Sequence, residues 1–306
     1  MTAEQDAGPV GLVIVDKPAG MTSHDVVSRI RRLARTRRVG HGGTLDPMAT
    51  GLLVIGVGRA TRLLTYVIGA NKRYRATIRL GESTITDDAE GEVVARVSAA
   101  AVTDAEIRAG LAAQTGTIGQ VPSAVSAIKI KGQRAYAKVR AGESVELAAR
   151  TVTISAIDVL QIRRPVGPDS ASVDVDVDVA CSTGTYVRAI ARDLGAALGV
   201  GGHLTALRRT AVGGFTLAEA STLEELAARV ESGGTPIGLT LDEAAARFFV
   251  RRDASPDEAA TLSHGAPLST VGIDGPYAVF APNGSVIAVV AERDGKARAE
   301  VVFAPA

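Results

Sequence analysis

The sequence predicts an α+β fold, with a mixed, largely antiparallel central sheet flanked by helices and a small β-rich C-terminal domain. Three observations predict it. Valine and aspartate alternate along Val173–Cys181, which is typical of a strand with one buried and one solvated face. A helical pattern follows directly, with apolar residues at helical spacing from Val187 to Leu198. Near the end of the chain, short apolar segments joined by turns predict the β-rich domain.

The N-terminal part of the chain predicts a strand followed by a basic helix. The apolar segment Gly11–Asp16 predicts the strand, and Ser23 is a suitable N-cap for the helix after it. We interpret residues 1–10 as a flexible N-terminus. The helix and its C-terminal extension carry six arginines on the side opposite the apolar stripe: Arg29, Arg31, Arg32, Arg35, Arg37 and Arg38.

Two further strands and a second helix are predicted between the basic helix and the alternating strand. Leu52–Val57 is apolar enough for a buried strand, and Lys72–Leu80 alternates as a half-buried strand. Asp104–Gln114 predicts a helix.

The helix after the alternating strand has its own start and stop signals. Thr183 or Thr185 is suited to cap it, and Gly199 to end it. Tyr186 and Arg188 then lie in its first turn, near the end of the strand. We interpret the aspartates of the preceding strand as a solvated face rather than a metal site, because they lack the loop geometry of calcium sites: Asp174, Asp176 and Asp178.

A domain boundary is predicted near residues 235–247, where a turn-rich stretch separates two helical segments. Residues 11–240 would then form the main domain and residues 247–306 the small one. Three short strands are predicted in the small domain: Tyr277–Phe280, Val286–Val290 and Ala299–Phe303.

Composition is that of a globular protein, with 306 residues, 46% hydrophobic and 22% charged. The single cysteine, Cys181, excludes an internal disulfide framework and predicts a reducing, cytoplasmic location. The four histidines are scattered and form no cluster with ligand spacing, so no metal site is predicted. No apolar run approaches the length of a membrane span, and we expect no membrane partner.

Charge is unevenly distributed, although the net charge is only +1. Residues 1–80 carry 13 Lys and Arg against 5 Asp and Glu, and residues 121–150 carry 6 against 2. Residues 181–215 carry 4 against 1, whereas residues 216–306 carry 7 against 13. The three basic segments predict a face that binds a polyanion, with scattered solvated charges as the alternative.

A glycine-rich loop carries the strongest candidate for a catalytic group. The segment Gly40–Leu53, GHGGTLDPMATGLL, contains a single carboxylate, Asp46, directly before Pro47. Proline excludes its predecessor from the helical region, so Asp46 is expected on a rigid loop or turn. From the residues alone, a turn-forming aspartate and a catalytic aspartate both remain open, and His41 has the same two interpretations.

Six ordered motifs show a family resemblance over residues 10–215. Taken together, they resemble a bacterial tRNA pseudouridine synthase of the TruB type. The motifs are VDKPAGMTS (Val15–Ser23), GHGGTLDPMATGLL (Gly40–Leu53), KRYRATIRLG (Lys72–Gly81), QVPSAVSAIKIKG (Gln120–Gly132), CSTGTYVRAIARDLG (Cys181–Gly195) and HLTALRRTAVG (His203–Gly213).

The resemblance implies that the protein isomerises one uridine of the tRNA T-loop, uridine-55, to pseudouridine, without a metal or an organic cofactor. It implies a pseudouridine synthase-like main domain, with a thumb-like RNA-binding segment at about 120–145 and a PUA-like domain at the C-terminus. The expected partner is the T-arm stem-loop of tRNA, and we predict no obligatory protein partner.

Three residues match the family's catalytic positions. Asp46 matches the catalytic aspartate, and Arg188 matches the arginine that pairs with it. Tyr74 matches the tyrosine that packs on the target base and is implicated in proton removal. An arginine close to the carboxylate favours its ionised form. The residues leave open whether Asp46 attacks C1′ of the ribose or C6 of the base, or acts through a glycal-type intermediate.

The resemblance also implies a set of substrate contacts. Tyr186 matches a residue that lines the pocket, Leu207 an apolar pocket residue, and His41 a histidine that helps the T-loop to open. Arg208, next to Leu207, is assigned to RNA binding. Three cations of the thumb-like segment are assigned to phosphate contacts: Lys129, Lys131 and Arg134.

Three other functions are compatible with parts of this pattern. A non-catalytic tRNA-binding or tRNA-folding protein would use the same basic surface, and a guide-RNA-dependent pseudouridine synthase would use the same catalytic residues. A glycoside hydrolase needs a second carboxylate as general acid, and the sequence near Asp46 offers none.

Overall fold

The computed structural model describes residues 8–123, 129–130, 133–134, 147–167 and 171–303. Its contacts divide the chain into two compact units. The first comprises the chain up to Leu45, Leu52–Ile68 and the chain from Gly213 onward; the second comprises Asp46–Gly51 and Gly69–Val212. None of the helices in the described ranges has the length and apolar character needed to cross a membrane.

Strands and helices follow one another along the described chain. The strands are β1 (Gly11–Lys17), β2 (Val39–His41), β3 (Thr50–Val57), β4 (Lys72–Leu80), β5 (Glu82–Thr84), β6 (Val93–Arg96), β7 (Gly116–Gln120), β8 (Lys129–Ile130), β9 (Gln133–Arg134), β10 (Arg150–Arg163), β11 (Val173–Cys181), β12 (Gly202–Val212), β13 (Phe215–Thr216), β14 (Leu239–Thr240), β15 (Val250–Asp253), β16 (Tyr277–Phe280), β17 (Val286–Arg293) and β18 (Lys296–Val302). The helices are α1 (Ser23–Leu33), α2 (Leu64–Gly69), α3 (Asp104–Ala112), α4 (Val187–Ala197), α5 (Leu223–Glu231), α6 (Leu241–Phe248) and α7 (Pro256–Ser263).

The sheet of the second unit confirms the predicted antiparallel character. Its strand order is β12-β4-β11-β10-β7, and each strand is antiparallel to its neighbours. The first residues of β3, Thr50 and Gly51, add a short parallel pairing to β12. The sheet is therefore mixed and largely antiparallel. The two strands with the clearest alternation, β4 and β11, have the predicted bounds and lie side by side.

The prediction of a solvated aspartate face on β11 is wrong. Asp174 and Asp178 are buried. Arg79 donates to Asp174 through Nε (2.8 Å) and Nη2 (3.0 Å), and Arg73 forms an ion pair with Asp178. The reason is cross-strand pairing, because β4 places arginines on the same face as the aspartates of β11. The alternation of valine and aspartate correctly predicted the strand β11, but it did not predict that arginines of β4 cover its aspartates.

The first unit contains a small sheet near the N-terminus and a second sheet near the C-terminus. The first has the strand order β14-β1-β3, with β2 paired to β3. The second has the order β15-β16-β17-β18 and encloses a core that includes Leu262, Tyr277 and Val279. The three strands predicted near the C-terminus are present as β16, β17 and β18. The domain boundary predicted at 235–247 stays a prediction.

The N-cap predicted for α1 is shifted by one residue. Thr22 is the N-cap, and its side chain and that of Asp25 form a reciprocal capping box. Ser23 is the first helical residue instead, and its hydroxyl accepts from Leu45 N (2.9 Å) and donates to Leu45 O (3.2 Å). Threonine and serine are both common N-cap residues, so two adjacent candidates in the sequence left the position uncertain by one residue.

Close packing between α4 and the start of β12 makes Gly195 sensitive to substitution. A Cβ at this position would lie 2.1 Å from the carbonyl carbon of Gly201 and 2.2 Å from the nitrogen of Gly202. Backbone atoms cannot move aside as a flexible side chain can. We therefore expect Gly195→Ala to lower the free energy of unfolding by about 2 kcal/mol or more, measured by urea denaturation.

Gly119→Ala is the matched control, since its Cβ would meet only the Cβ of Ala149 at an ordinary 3.8 Å. It is expected to change the free energy of unfolding by about 0.5 kcal/mol or less. Equal losses in the two variants would contradict the packing argument.

Candidate active site

Asp46 lies on the turn that leads into β3. The amide of Ala49 donates to the carbonyl of Asp46 (3.1 Å), which closes the turn around Pro47. The Asp46 side chain is 34% exposed. The turn thus fixes the backbone of a carboxylate that solvent can still reach.

Arg188 is the second residue of α4, and its helix begins differently from the prediction. Neither Thr183 nor Thr185 is the N-cap; Tyr186 occupies that position, with no capping hydrogen bond from its side chain. Arg188 is buried at the helix N-terminus, where the helix dipole disfavours a positive charge. Its charge therefore needs nearby carboxylates.

The predicted pairing of Arg188 with Asp46 is present. The Nε of Arg188 lies 3.1 Å from Oδ2 of Asp46, and its Nη2 donates to Oδ1 at 3.2 Å. Both carboxylate oxygens are thus held by one planar guanidinium, which fixes the orientation of the carboxylate as well as its position. Only 5% of the Arg188 side chain is exposed, so the arginine is a fixed buried charge beneath a carboxylate that is partly open.

Asp88 is a member of this site that the sequence analysis did not identify. Its Oδ2 lies 3.1 Å from Nη1 of Arg188, which also donates to the carbonyl of Thr86 (2.8 Å). Asp88 is in turn held by the hydroxyl of Thr86 and by the amide of Glu90 (3.1 Å). The sequence places four acidic residues in this β5–β6 turn, and spacing alone did not indicate which one reaches Arg188.

Two further carboxyl groups lie in the same turn and respond to this environment. Burial raises the pKa of Glu90, and the negative charges of Asp88 and Asp46 raise it further. Burial also raises the pKa of Asp87, against the opposing effects of Ser123 and Arg192. The buried Arg188 therefore lies in a region that contains more than one carboxyl group.

Tyr74 lies on β4 and is buried, directly opposite Arg209 of β12. Burial raises the pKa of its phenol, and the charge of Asp46 contributes in the same direction, whereas Arg209 opposes the shift. Tyr74 is therefore a neutral phenol at physiological pH. Arg209 is a second residue that the sequence analysis did not assign, and it is among the most buried side chains described.

The remaining predicted pocket residues take separate positions. Leu207 is buried on β12, opposite Ala76 of β4, and Arg208 donates to the hydroxyl of Thr50 at 3.3 Å. Tyr186 is half-buried at the start of α4. These three residues belong to the second unit, together with Asp46, Tyr74 and Arg188.

His41 belongs to the first unit, where its ring meets that of His24 edge-on at 5.3 Å. The backbones of Lys129 and Arg134 pair in the short ladder of β8 with β9. Their side chains, Lys131 and most of the predicted thumb-like segment at 120–145 lie outside the described residues. Within the described residues, no three His, Cys, Asp or Glu side chains are grouped so that they could hold a metal ion.

This mixed, largely antiparallel sheet with its flanking helices is the fold expected of a pseudouridine synthase. Three sequence models of one family match the chain. The TruB family pseudouridylate synthase N-terminal domain matches residues 31–187, the tRNA pseudouridylate synthase B C-terminal domain matches 188–236, and the tRNA pseudouridine synthase II C-terminal domain matches 249–304. The chain belongs to the TruB family of pseudouridylate synthases.

Curated relatives and a solved structure agree with this assignment. The chain is 58% identical over 306 residues to tRNA pseudouridine synthase B of Arthrobacter sp. (strain FB24), covering 96% of this chain and 97% of the relative. It is 57% identical over 294 residues to the protein of that name from Thermobifida fusca (strain YX), covering 96% and 98%. A chain of a Cbf5-Nop10-Gar1 complex superposes with a TM-score of 0.71 at 25% identity, covering 96% of this chain and 85% of that one.

Lys72 begins the strand that carries Tyr74, and its buried amine gives a test of the local electrostatics. Burial lowers its pKa from 10.5 to about 8, and the charge of Arg209 adds to the shift. Between these two values the unfolded chain binds a proton that the folded protein does not bind, so the free energy of unfolding rises with pH. Lys72→Met should abolish this rise, which is at most about 3 kcal/mol over the whole interval.

The measurement is urea denaturation at several pH values across this interval, with the difference between wild type and variant plotted against pH. Lys296→Met, which removes an exposed lysine, is the control and should give a flat difference. A flat difference for Lys72→Met as well would contradict the inferred burial of the charge.

Proposed function

We propose that this protein isomerises one uridine of the tRNA T-loop, uridine-55, to pseudouridine, with Asp46 as the catalytic carboxylate. Isomerisation of uridine to pseudouridine in tRNA is the activity of its family. The proposal for Asp46 rests on one observation: it is the carboxylate that a buried arginine grips through both oxygens while solvent still reaches it.

The reaction exchanges one glycosidic bond for another, and the site has groups suited to each stage. The bond from C1′ to N1 breaks, the base rotates, and a bond from C1′ to C5 forms; C5 then loses its proton, and N1, which carries none in uridine, gains one. Asp46 acts as a nucleophile at C1′ or C6, or removes a proton on the way to a glycal. Arg188 keeps the carboxylate ionised and oriented, and Asp88 holds the opposite edge of the guanidinium.

The uridine must leave its stack before Asp46 can reach it, and we assign the pocket for the base to Tyr74 and Leu207. The aromatic ring of Tyr74 would pack on the base, and Leu207 would supply an apolar wall. Because burial keeps Tyr74 a neutral phenol, it carries its own proton and needs a further acceptor if it is to take the C5 proton. Tyr74 acting with such an acceptor, or water, would then remove the C5 proton.

Binding of the T-arm is assigned to basic side chains away from the pocket. The arginines that line α1 and its C-terminal extension are exposed and suited to RNA phosphates, which set position without reading sequence. We also assign RNA contacts to His41 of the first unit, to Arg208 and Tyr186 of the second, and to the cations of the thumb-like segment. We propose that residues 247–306 form the small C-terminal domain. We also propose that the protein is located in the cytoplasm, where a tRNA substrate is found.

Asp46→Asn tests the catalytic assignment most directly. A T-arm hairpin containing 5-tritiated uridine would be incubated with purified protein in EDTA, and the release of tritium and the identity of the product base would be measured. Wild type should release tritium from one uridine and form pseudouridine. Asp46→Asn keeps the shape but loses the charge, so its rate should fall by about 10³-fold or more.

Asp158→Asn is the control, since it neutralises an aspartate that is 64% exposed on the same sheet. It should keep the wild-type rate. Equal activity of Asp46→Asn and wild type would refute the role of Asp46. If wild type binds the RNA tightly but releases no tritium, the non-catalytic alternative is favoured. A requirement for added RNA would favour a guide-dependent synthase, and formation of free uracil would favour a glycoside hydrolase.

The arginine surface of α1 gives a second prediction, about RNA affinity. Three exposed arginines of this surface have no ion pair in the described part of the chain: Arg29, Arg32 and Arg37. Replacing all three with alanine should reduce the phosphate contacts proposed for α1. Each phosphate contact contributes about 0.7–0.9 to the slope of log affinity against log salt concentration. The slope for T-arm binding should therefore fall by about 2, measured by filter binding at several salt concentrations.

A second triple variant removes the same charge from exposed arginines that form ion pairs with carboxylates: Arg96 with Glu82, Arg251 with Asp253, and Arg293 with Glu300. This control should leave the slope near its wild-type value. An unchanged slope in the α1 variant would remove this helix from the RNA surface.

A further inference from the structure

Gln120 makes a two-point contact with the start of α4. It is the last residue of β7 and is buried. Its Oε1 accepts from the amide of Tyr186 at 2.8 Å, and its Nε2 donates to the carbonyl of Tyr186 at 3.1 Å. One side chain thus satisfies both backbone groups of a residue 66 positions further along the chain.

The start of α4 has no local side-chain cap. Among the helices that the structure describes, α1, α3, α5, α6 and α7 each begin with a capping box formed by neighbouring residues. At α4 the N-cap Tyr186 provides no side-chain cap, and a glutamine from another strand bonds its backbone instead. The position of this helix start is therefore set by the sheet rather than by its own sequence.

The segment around Gln120 is itself well anchored. Its backbone pairs with Arg150 of β10, at the end of the β7–β10 ladder. Within α4, Arg192 donates from Nη2 to the carbonyl of Val121 (2.7 Å), and its Nη1 lies 3.5 Å from that of Pro122. Two contacts therefore fasten α4 to residues 120–122, one at the helix start and one further along it.

We propose that Gln120 is a positioning residue for catalysis, which fixes the start of α4 and through it the guanidinium of Arg188 against Asp46. Arg188 follows Tyr186 by two residues, in the first turn of the helix. A displacement of about 1 Å in a catalytic group is sufficient for a large loss of rate. The inference rests on the proposed role of Asp46, because positioning Arg188 matters for the rate only if Asp46 performs the reaction.

Glutamine suits this task because its amide donates and accepts at the same time. An ionised glutamate of nearly the same shape still accepts from the Tyr186 amide, but it places negative charge against the Tyr186 carbonyl. A protonated glutamate regains the donor. Gln120→Glu therefore converts the contact into one that depends on pH.

The test compares kcat and KM of Gln120→Glu with wild type on the T-arm hairpin from about pH 6 to pH 8.5. At about pH 8.5 the glutamate is ionised, and we expect kcat to fall about tenfold or more with little change in KM. Burial and the facing carbonyl raise the pKa of the introduced glutamate above its ordinary value, so protonation begins within the measured range. The ratio of variant to wild-type kcat should therefore rise as the pH falls.

Two variants keep the test independent of a general loss of structure. Gln120→Met is uncharged and loses both hydrogen bonds, so its kcat should be low at every pH without recovery. Gln114→Glu makes the same substitution at a glutamine that donates to the carbonyl of Ile190, further along α4, at 3.3 Å. Its kcat relative to wild type should not change with pH. Circular dichroism at each pH would verify folding.

The outcomes separate this inference from the proposed function. If wild type forms pseudouridine and Asp46→Asn does not, the proposed function stands, and only the Gln120 variants bear on the inference. Wild-type kcat in Gln120→Met, or a pH-independent kcat ratio in Gln120→Glu, would overturn it. Parallel pH dependence in Gln114→Glu and Gln120→Glu would also overturn it, since the effect would then belong to the helix as a whole.

Discussion

The buried guanidinium of Arg188 is the constraint on which the site depends. Removing an arginine from water costs several kcal/mol, and its location at a helix N-terminus adds an unfavourable interaction with the helix dipole. The charge is tolerated because Asp46 and Asp88 occupy opposite edges of the guanidinium and the carbonyl of Thr86 accepts a further hydrogen bond. The turn before β3, the β5–β6 turn and α4 must therefore be in place together.

The two carboxylates differ in exposure, and this difference divides their tasks. Only 3% of the Asp88 side chain is exposed, and its carboxylate also accepts from Thr86 and from the amide of Glu90, so its task is to hold the arginine. Asp46 is 34% exposed while both of its oxygens contact the same guanidinium. The buried guanidinium of Arg188 thus contacts both Asp88, which is structural, and Asp46, which a substrate can reach. It also limits the orientations of the Asp46 carboxylate.

Local patterns in the sequence predicted the elements that depend on local physics. The alternation in Lys72–Leu80 and Val173–Cys181 gave both strands with their observed bounds, because a strand with one apolar face requires that period. Asp46 and Arg188 were assigned from their motifs, and their pairing is present. Asp88, Arg209 and the arginines that cover Asp174 and Asp178 were missed. Each acts through a partner about 100 or more residues away or on a neighbouring strand, which spacing along the chain does not encode.

The start of α4 illustrates the same limit and suggests a physical reason for it. Thr183 and Thr185 are good capping residues, yet a local cap would fix only the helix and not its relation to the sheet. The two hydrogen bonds between Gln120 and Tyr186 instead hold the backbone of the N-cap residue itself, and they tie the helix to β7. A helix that carries a buried charge gains from this arrangement, because its first turn then moves with the sheet on which Tyr74 lies. Propensity identifies where a helix can begin, whereas the contacts of the site determine where this one does begin.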